Sequence, residues 1–405
     1  MKASALAALL ALCLAGGSSA AQAKTGKGPD FVVERAVLVM RHGIRAPLAG
    51  EVPDATRTDL PWPQWPVAES RITPHGVRAL EIIGGADRRL LARRGLITAT
   101  GCPESGAIRI RTNSSTRTIA SGEAYAQGFA PGCPLPIMHR PLGEADPMFE
   151  PLRARATAFD TKAAIAAINQ ETGGMAALVR RHQSALANLN RVLGCRGTAA
   201  GCADNGVPGL APSADGRDLV LTGPIRATSG IAQVLLLEYA EGLSARDVGW
   251  GRVDAAGLRR LGELHAALFA VFTKPAYMAA HQSAVLGREV LRGLQEDSPY
   301  RLELLMGHDT NVTALAAALR VDLDAPGYAV NDVPPGGGLF FERVRNRRSG
   351  KIFVRVSYRT QSPDALRALT SGVSIKALPV LTCRTALCPI EVFQEAFEAR
   401  LAALR

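Results

Sequence analysis

"VLVMRHGIRAPL" (residues 37–48) runs four apolar residues into a histidine placed between two arginines. The apolar run suits a buried strand, and Arg41-His42-Gly43 ends it abruptly. Arg41 and Arg45 keep their charge at any working pH, so a protonated His42 between them would be repelled from both sides. The triplet makes chemical sense if an anion sits there.

The same pattern recurs twice. "IRIRTNSSTRTIASGEAYAQGF" (108–129) alternates Ile108 and Ile110 with arginines, turns polar at Asn113 to Thr116 and continues with helical spacing. "RLELLMGHDTNVTALAAAL" (301–319) passes from Leu302–Met306 through Gly307-His308-Asp309 into an Ala/Leu helix. Strands alternating with helices predict a mostly parallel α/β sheet domain flanked by helices, whose ligands gather at the carboxyl ends of its strands. All three polar clusters sit at such ends. Sheet character returns at 338–344 and 351–358, and the intervening "RNRRSG" reads as a hairpin turn.

Residues 151–289 are rich in Ala, Leu and Gln at helical spacing, which predicts a smaller α-helical lobe inserted between 24–150 and 290–405. Residues 195–218, with two Cys, five Gly and two Pro, read as a surface loop.

Lys2, the apolar Leu6–Ala15 and the small residues at Ala21 and Ala23 predict a cleavable signal peptide over residues 1–23, hence a periplasmic or secreted protein. That apolar run is too short for a membrane span, and no later stretch looks like one. A chain of 405 residues exceeds one typical domain of about 100–200 residues. The net charge of +11 is scattered and aromatic residues make up only 5%, which argues against a nucleic-acid partner. A monomer is the default expectation. Beyond residue 23 the cysteines are Cys102, Cys133, Cys195, Cys202, Cys383 and Cys388, an even set that favours disulfides in an oxidising compartment. Pairing neighbours gives Cys102–Cys133, Cys195–Cys202 and Cys383–Cys388. No cysteine interleaves with histidine at zinc-ligand spacing, so neither a metal nor another cofactor is expected.

A neutral, oriented imidazole can attack phosphorus. Arginines at 41 and 45 would favour that neutral form and grip phosphoryl oxygens in a fork that lysine cannot reproduce, while Gly43 would let the backbone approach the ligand. The plain alternative is a surface RHxxR segment with ordinary ion pairs. His308 could hold a phosphoryl oxygen as a cation or as a hydrogen-bonding group, and a protonated Asp309 could donate to the leaving alkoxide. Asp309, Thr310 and Asn311 equally suit a helix N-terminus, which would itself favour phosphate. Arg117 could add a third guanidinium. His75, His139, His182, His265 and His281 lack an HExxH pattern and read as ordinary helix or surface residues. There is no G-x-S-x-G elbow and no P-loop.

"RHGIRAP" with the downstream "HDTN" resembles the histidine acid phosphatases, the two-domain branch of the histidine phosphatase superfamily, and among them bacterial periplasmic phytases and glucose-1-phosphatases. The likeness extends through "WPQWPV" (62–67), "ITPHG" (72–76), residues 115–133, "ADPMFEP" (145–151), "VGWG" (248–251) and "PPGGGLFFERV" (334–344). The resemblance implies His42 as a nucleophile that becomes phosphorylated, Arg41, Arg45, Arg117 and His308 as the phosphate pocket, and Asp309 as proton donor, without a metal. It also implies a small anionic phosphate ester as substrate. Leu48-Ala49 and "ADPMFEP" lean toward the glucose-1-phosphatases, whereas "HDTN" and "GEAYAQGFAP" lean toward the phytases. A phosphate-ester binding protein with an unused site would need neither nucleophile nor acid. An intracellular mutase would not carry an export signal.

Overall fold

The structure, a computed structural model, describes residues 30–194, 202–203, 206–380 and 382–401. The signal segment and Cys195, with its expected pairing to Cys202, lie outside the described residues. The strands are β1 (Phe31–Arg41), β2 (Ile108–Thr112), β3 (Ile137–Met138), β4 (Gly209–Pro212), β5 (Leu219–Thr222), β6 (Leu302–Gly307), β7 (Gly338–Asn346), β8 (Ile352–Gln361), β9 (Val373–Leu378) and β10 (Leu387–Pro389). The helices begin with α1 (Pro74–Arg93), α2 (Thr116–Phe129), α3 (Thr161–Thr172), α4 (Met175–Arg181), α5 (Gln183–Leu193) and α6 (Pro224–Glu241). They continue with α7 (Ala255–Phe272), α8 (Ala276–Gly293), α9 (Asp309–Ala318), α10 (Pro363–Arg367) and α11 (Ile390–Leu401).

Strands β10-β8-β7-β1-β6-β2-β3 lie in that order, with β9 also on β8, in one eight-stranded sheet among the described residues. From β1 through β6 and β2 to β3 every pairing is parallel; β7, β8, β9 and β10 add an antiparallel flank. The 338–344 and 351–358 runs do form a hairpin, closed by Asn346 N–H donating to Lys351 O.

Strand β1 is buried on both faces from Ala36 onward, as a central strand between helical layers must be. Its alternation divides the core. Leu38 and Met40 pack with Leu80, Ile83, Tyr125 and Phe129 of α1 and α2, while Val37 and Val39 pack with Leu286 and Val290 of α8, Leu315 of α9, and Phe393 and Phe397 of α11. Helices α1 and α2 cross closely because Gly84 and Gly128 carry no side chain: a Cβ at either would collide with the backbone of the other helix.

A second core joins α3, α4, α5 and α7 with most of α6 and the β4–β5 ribbon. Part of the loop expected at 195–218 is therefore sheet, since Gly209–Pro212 pairs with Leu219–Thr222. The long segment between β1 and α1 reaches this region, where Trp62 packs against Trp250 with ring centroids 4.8 Å apart. The Trp250 indole N–H donates to Pro61 O at 2.8 Å. Disulfides Cys102–Cys133 and Cys383–Cys388 are formed, with Cα–Cα separations of 5.4 and 5.5 Å. Among the described residues no helix is long and apolar enough to cross a membrane.

Candidate active site

The three polar clusters lie side by side because β6 is hydrogen-bonded to β1 on one edge and to β2 on the other. The ladder runs on past the strands: His42 N–H donates to Gly307 O at 3.0 Å, and Asn113 N–H to Met306 O at 2.9 Å. Behind them the 334–337 turn is tied in by Gly336 N–H donating to His42 O at 2.9 Å.

His42 is 3% exposed. Its Nδ1 lies 2.9 Å from Gly43 O, which fixes the proton on Nδ1 and leaves Nε2 as a bare lone pair. Burial, and then the charges of Arg117, Arg41 and Arg45 with His308, hold its pKa well below the ordinary histidine value. The imidazole is therefore neutral. Gly43 acts differently from its expected part as a close approach for ligand. A Cβ there would sit 2.7 Å from Leu80 Cδ1 and 3.2 Å from Ile72 Cδ1, so the missing side chain makes room for the core beneath the loop.

Each guanidinium already has company. Arg41, fully buried, donates to Val333 O and to Gln233 Oε1 (2.5 Å) and lies 3.1 Å from Asp309 Oδ2. Arg45 forks onto Glu51, at 2.8 and 2.5 Å, and the same carboxylate accepts Leu48 N–H. Arg117 lies 3.5 Å from His308 Nδ1. Burial and the neighbouring Arg45 lower its pKa only to about 10, so it stays charged through the acid and neutral range.

His308 is neutral as well, lowered to about 3 by burial and by Arg117. It stands here as a hydrogen-bonding group rather than as a cation. Its Nε2 donates to Asn113 Oδ1 at 3.2 Å, and the Asn113 amide N–H donates in turn to Glu150 at 3.0 Å. The chain Glu150–Asn113–His308 leaves Nδ1 facing Arg117. The His42 and His308 rings meet edge to face, with centroids 5.6 Å apart.

Asp309 opens α9, with His308 at the cap position. Asn311 folds back so that its Oδ1 accepts His308 N–H at 2.8 Å, a fold that Gly307 permits because a Cβ there would strike Asn311 Oδ1. The helix N-terminus and the acid thus occupy the same four residues. Asp309 Oδ1 accepts Thr310 N–H at 2.8 Å. Burial raises its pKa, but Arg41, His265 and His308 outweigh burial and hold it below the ordinary range. With Arg41 beside it, Asp309 is a carboxylate.

His265 was not singled out by its sequence, yet its Nε2 lies 3.8 Å from Asp309 Oδ2 and its Nδ1 2.8 Å from Asp332 Oδ1. Gly262, one turn earlier on α7, admits Asp332: a Cβ at that glycine would lie 2.5 Å from Asp332 Oδ2. A mid-helix glycine costs about 1 kcal/mol relative to alanine, so the space comes at the expense of helix stability. Glu51, Glu150, Gln233 and Asp332 were missed too. Glu51 follows Arg45 by six residues and Glu150 lies within "ADPMFEP", whereas Gln233 and Asp332 come from distant segments with no local motif.

Residues 32–191 match the histidine phosphatase superfamily, branch 2. The chain is 30% identical over 371 residues to phytase AppA of Escherichia coli K12, covering 84% of each protein. It is 26% identical to a glucose-1-phosphatase of Providencia rettgeri, covering 95% of this chain and 94% of that one. The structure superposes on Hafnia alvei phytase in complex with tartrate with a TM-score of 0.83 at 28% identity, over 92% of this chain and 98% of the other. With a neutral histidine ringed by guanidiniums at the strand ends and likeness of this extent, the chain belongs to the histidine phosphatase superfamily, branch 2, and is a phosphatase.

Proposed function

We propose that the chain is an exported acid phosphomonoesterase that passes the phosphoryl group through His42. The observation that carries this reading is the state of His42: Nδ1 is tied to Gly43 O, and Nε2 is unprotonated beneath three permanent cations. A phosphate dianion entering there would take Arg41 from Asp309 and share Arg45 with Glu51, while Arg117 and the N-terminus of α9 complete its cage. Attack by Nε2 on phosphorus breaks the ester P–O bond. The departing oxygen takes a proton from Asp309, which acquires that proton once Arg41 has turned to the phosphate. Water then attacks the phosphohistidine, Asp309 removes its proton, and inorganic phosphate leaves. His308 acts in this scheme by orienting Arg117 through the Asn113 relay. The helices of the second core serve as a cover at the strand ends, with Gln233 of α6 and His265 of α7 reaching the site.

Relatives named phytase and glucose-1-phosphatase support phytate or a sugar phosphate as substrate. Leu48 and Ala49, which follow Arg45 on the way to Glu51, add no cation for further phosphates and favour the smaller ester. The test is phosphate release from phytate and from glucose 1-phosphate, with chelator present, by the parent and by His42→Ala. We expect the parent to release phosphate and His42→Ala to lose turnover by about 10⁴-fold or more while keeping its circular dichroism. Near-parental turnover in that variant would remove the nucleophile.

A further inference from the structure

We propose that His265, held by Asp332, is the group that supplies Asp309 with its proton. The inference deepens the reading of Asp309 as acid and rests on it. With Nδ1–H donated to Asp332 at 2.8 Å, the only site left on the ring is Nε2, and it faces Asp309 Oδ2 at 3.8 Å. A bare Nε2 lone pair opposite a carboxylate oxygen would be repulsive. The pair is satisfied when one proton lies between them, on the imidazole or on the carboxyl. Two contacts fix the direction of the ring: Asp332, itself 2% exposed, and Phe269, one turn further along α7, whose ring meets it edge on with centroids 4.8 Å apart.

Arg41 decides where that proton rests. Arg41 lies 3.1 Å from the same Oδ2 and keeps the carboxylate ionised. When a phosphoryl group draws the guanidinium away, Asp309 loses its nearest cation. The proton then moves from His265 Nε2 to Asp309 Oδ2, directly or over one water, and from there to the leaving alkoxide as the P–O bond breaks. In the second half-reaction Asp309 takes a proton from the attacking water and returns it to His265. The cycle consumes only ester and water. His265 is thus a positioning residue acting through Asp309.

The charged and titratable groups around the ring are few. Asp309 approaches from α9, Asp332 from the segment between α9 and β7, and Arg41 from β1 by way of Asp309. Tyr328 and Tyr358 feel the charge of Asp332. On α6 the neighbour of Arg41 is the uncharged Gln233.

The experiment compares parent, His265→Gln and Asp332→Asn on 2-glycerophosphate, a poor leaving group, and p-nitrophenyl phosphate, a good one. Phosphohistidine formation is followed by alkaline quench, and kcat/KM is profiled against pH. We expect His265→Gln to slow phosphorylation by 2-glycerophosphate about tenfold or more while the nitrophenol burst stays within about twofold, because a good leaving group needs little acid. Asp332→Asn removes the anion that favours protonated His265. It should move the alkaline limb for 2-glycerophosphate to lower pH by about one unit, leaving the nitrophenyl ester's profile in place. Equal losses on both esters, no loss on either, or an unmoved alkaline limb in Asp332→Asn would each overturn the proposal while phosphohistidine still forms. Absence of phosphohistidine in the parent would overturn the reading beneath it, and the proposal with it.

Discussion

Two arginine–aspartate pairs of almost equal length stand on either side of the same turn. Arg41 lies 3.1 Å from Asp309 and Arg359 lies 3.2 Å from Asp87, yet the carboxylates behave oppositely. Asp309 keeps 17% of its side chain exposed, gains a helix N-terminal N–H and two histidines, and is held below the ordinary range. Asp87 keeps 1%, and burial raises it despite Arg359 and the Tyr125 hydroxyl. Distance alone does not make a pair functional. The open pair can exchange its aspartate for a ligand oxygen. The closed one instead braces the site, since Arg359 also donates to Gly336 O and the Gly336 N–H holds His42 O.

The sharpest way to break this contrast is Asp309→Asn. Turnover of esters with poor leaving groups should fall about 10²–10⁴-fold, with a far smaller loss on p-nitrophenyl phosphate and little change in thermal unfolding. Equal losses on both substrates would make Asp309 chiefly a helix opener and would leave the two pairs alike.

Arg359→Leu asks the converse question. Removing one partner of a buried pair costs about 3–5 kcal/mol, because the other charge is stranded. The folded-state pKa of Asp87 would then rise further above its unfolded value, so the protonated form would be favoured on folding. Stability would be fullest below the unfolded pKa and would be lost as pH rises through the folded one. Urea unfolding should therefore show a larger deficit at pH 7 than at pH 4. A deficit independent of pH would mean that the lost packing, not the stranded carboxylate, dominates.

What could be read from the sequence divides along the same line. The three strand ends were legible because each apolar run stops at a polar cluster, and a parallel sheet brings such ends together. Arg41, His42, Arg45, Arg117, His308 and Asp309 all converge there. The groups that set their charge states were not legible. Gln233 is 192 residues from Arg41, and His265 is 67 from the Asp332 that orients it, so no window of sequence holds both members. Local pattern also misled. The first cluster leads into a long loop before α1 rather than straight into a helix, and Gly43 serves the core instead of the ligand. The glycines that let α1 and α2 touch are unremarkable until two helices are known to cross.

The finest test of the open region is electrostatic. Nucleophilic His42 must be neutral, so a depressed pKa extends its working range into acid, and loss of a nearby cation should shorten that range. After burial, Arg117 is the largest influence holding His42 down, followed by Arg41, Arg45 and His308, and Arg359 is not among these leading influences. Arg117→Met should therefore raise the pKa of His42 and move the acid limb of kcat/KM for p-nitrophenyl phosphate upward by about one pH unit. The shift is partial because Arg41 and Arg45 remain. Arg359→Leu should leave that limb in place wherever the protein is folded. Weaker substrate binding without a moved limb would make Arg117 a clamp on phosphate alone, and a limb moved by both variants would mean that the closed pair reaches the nucleophile after all.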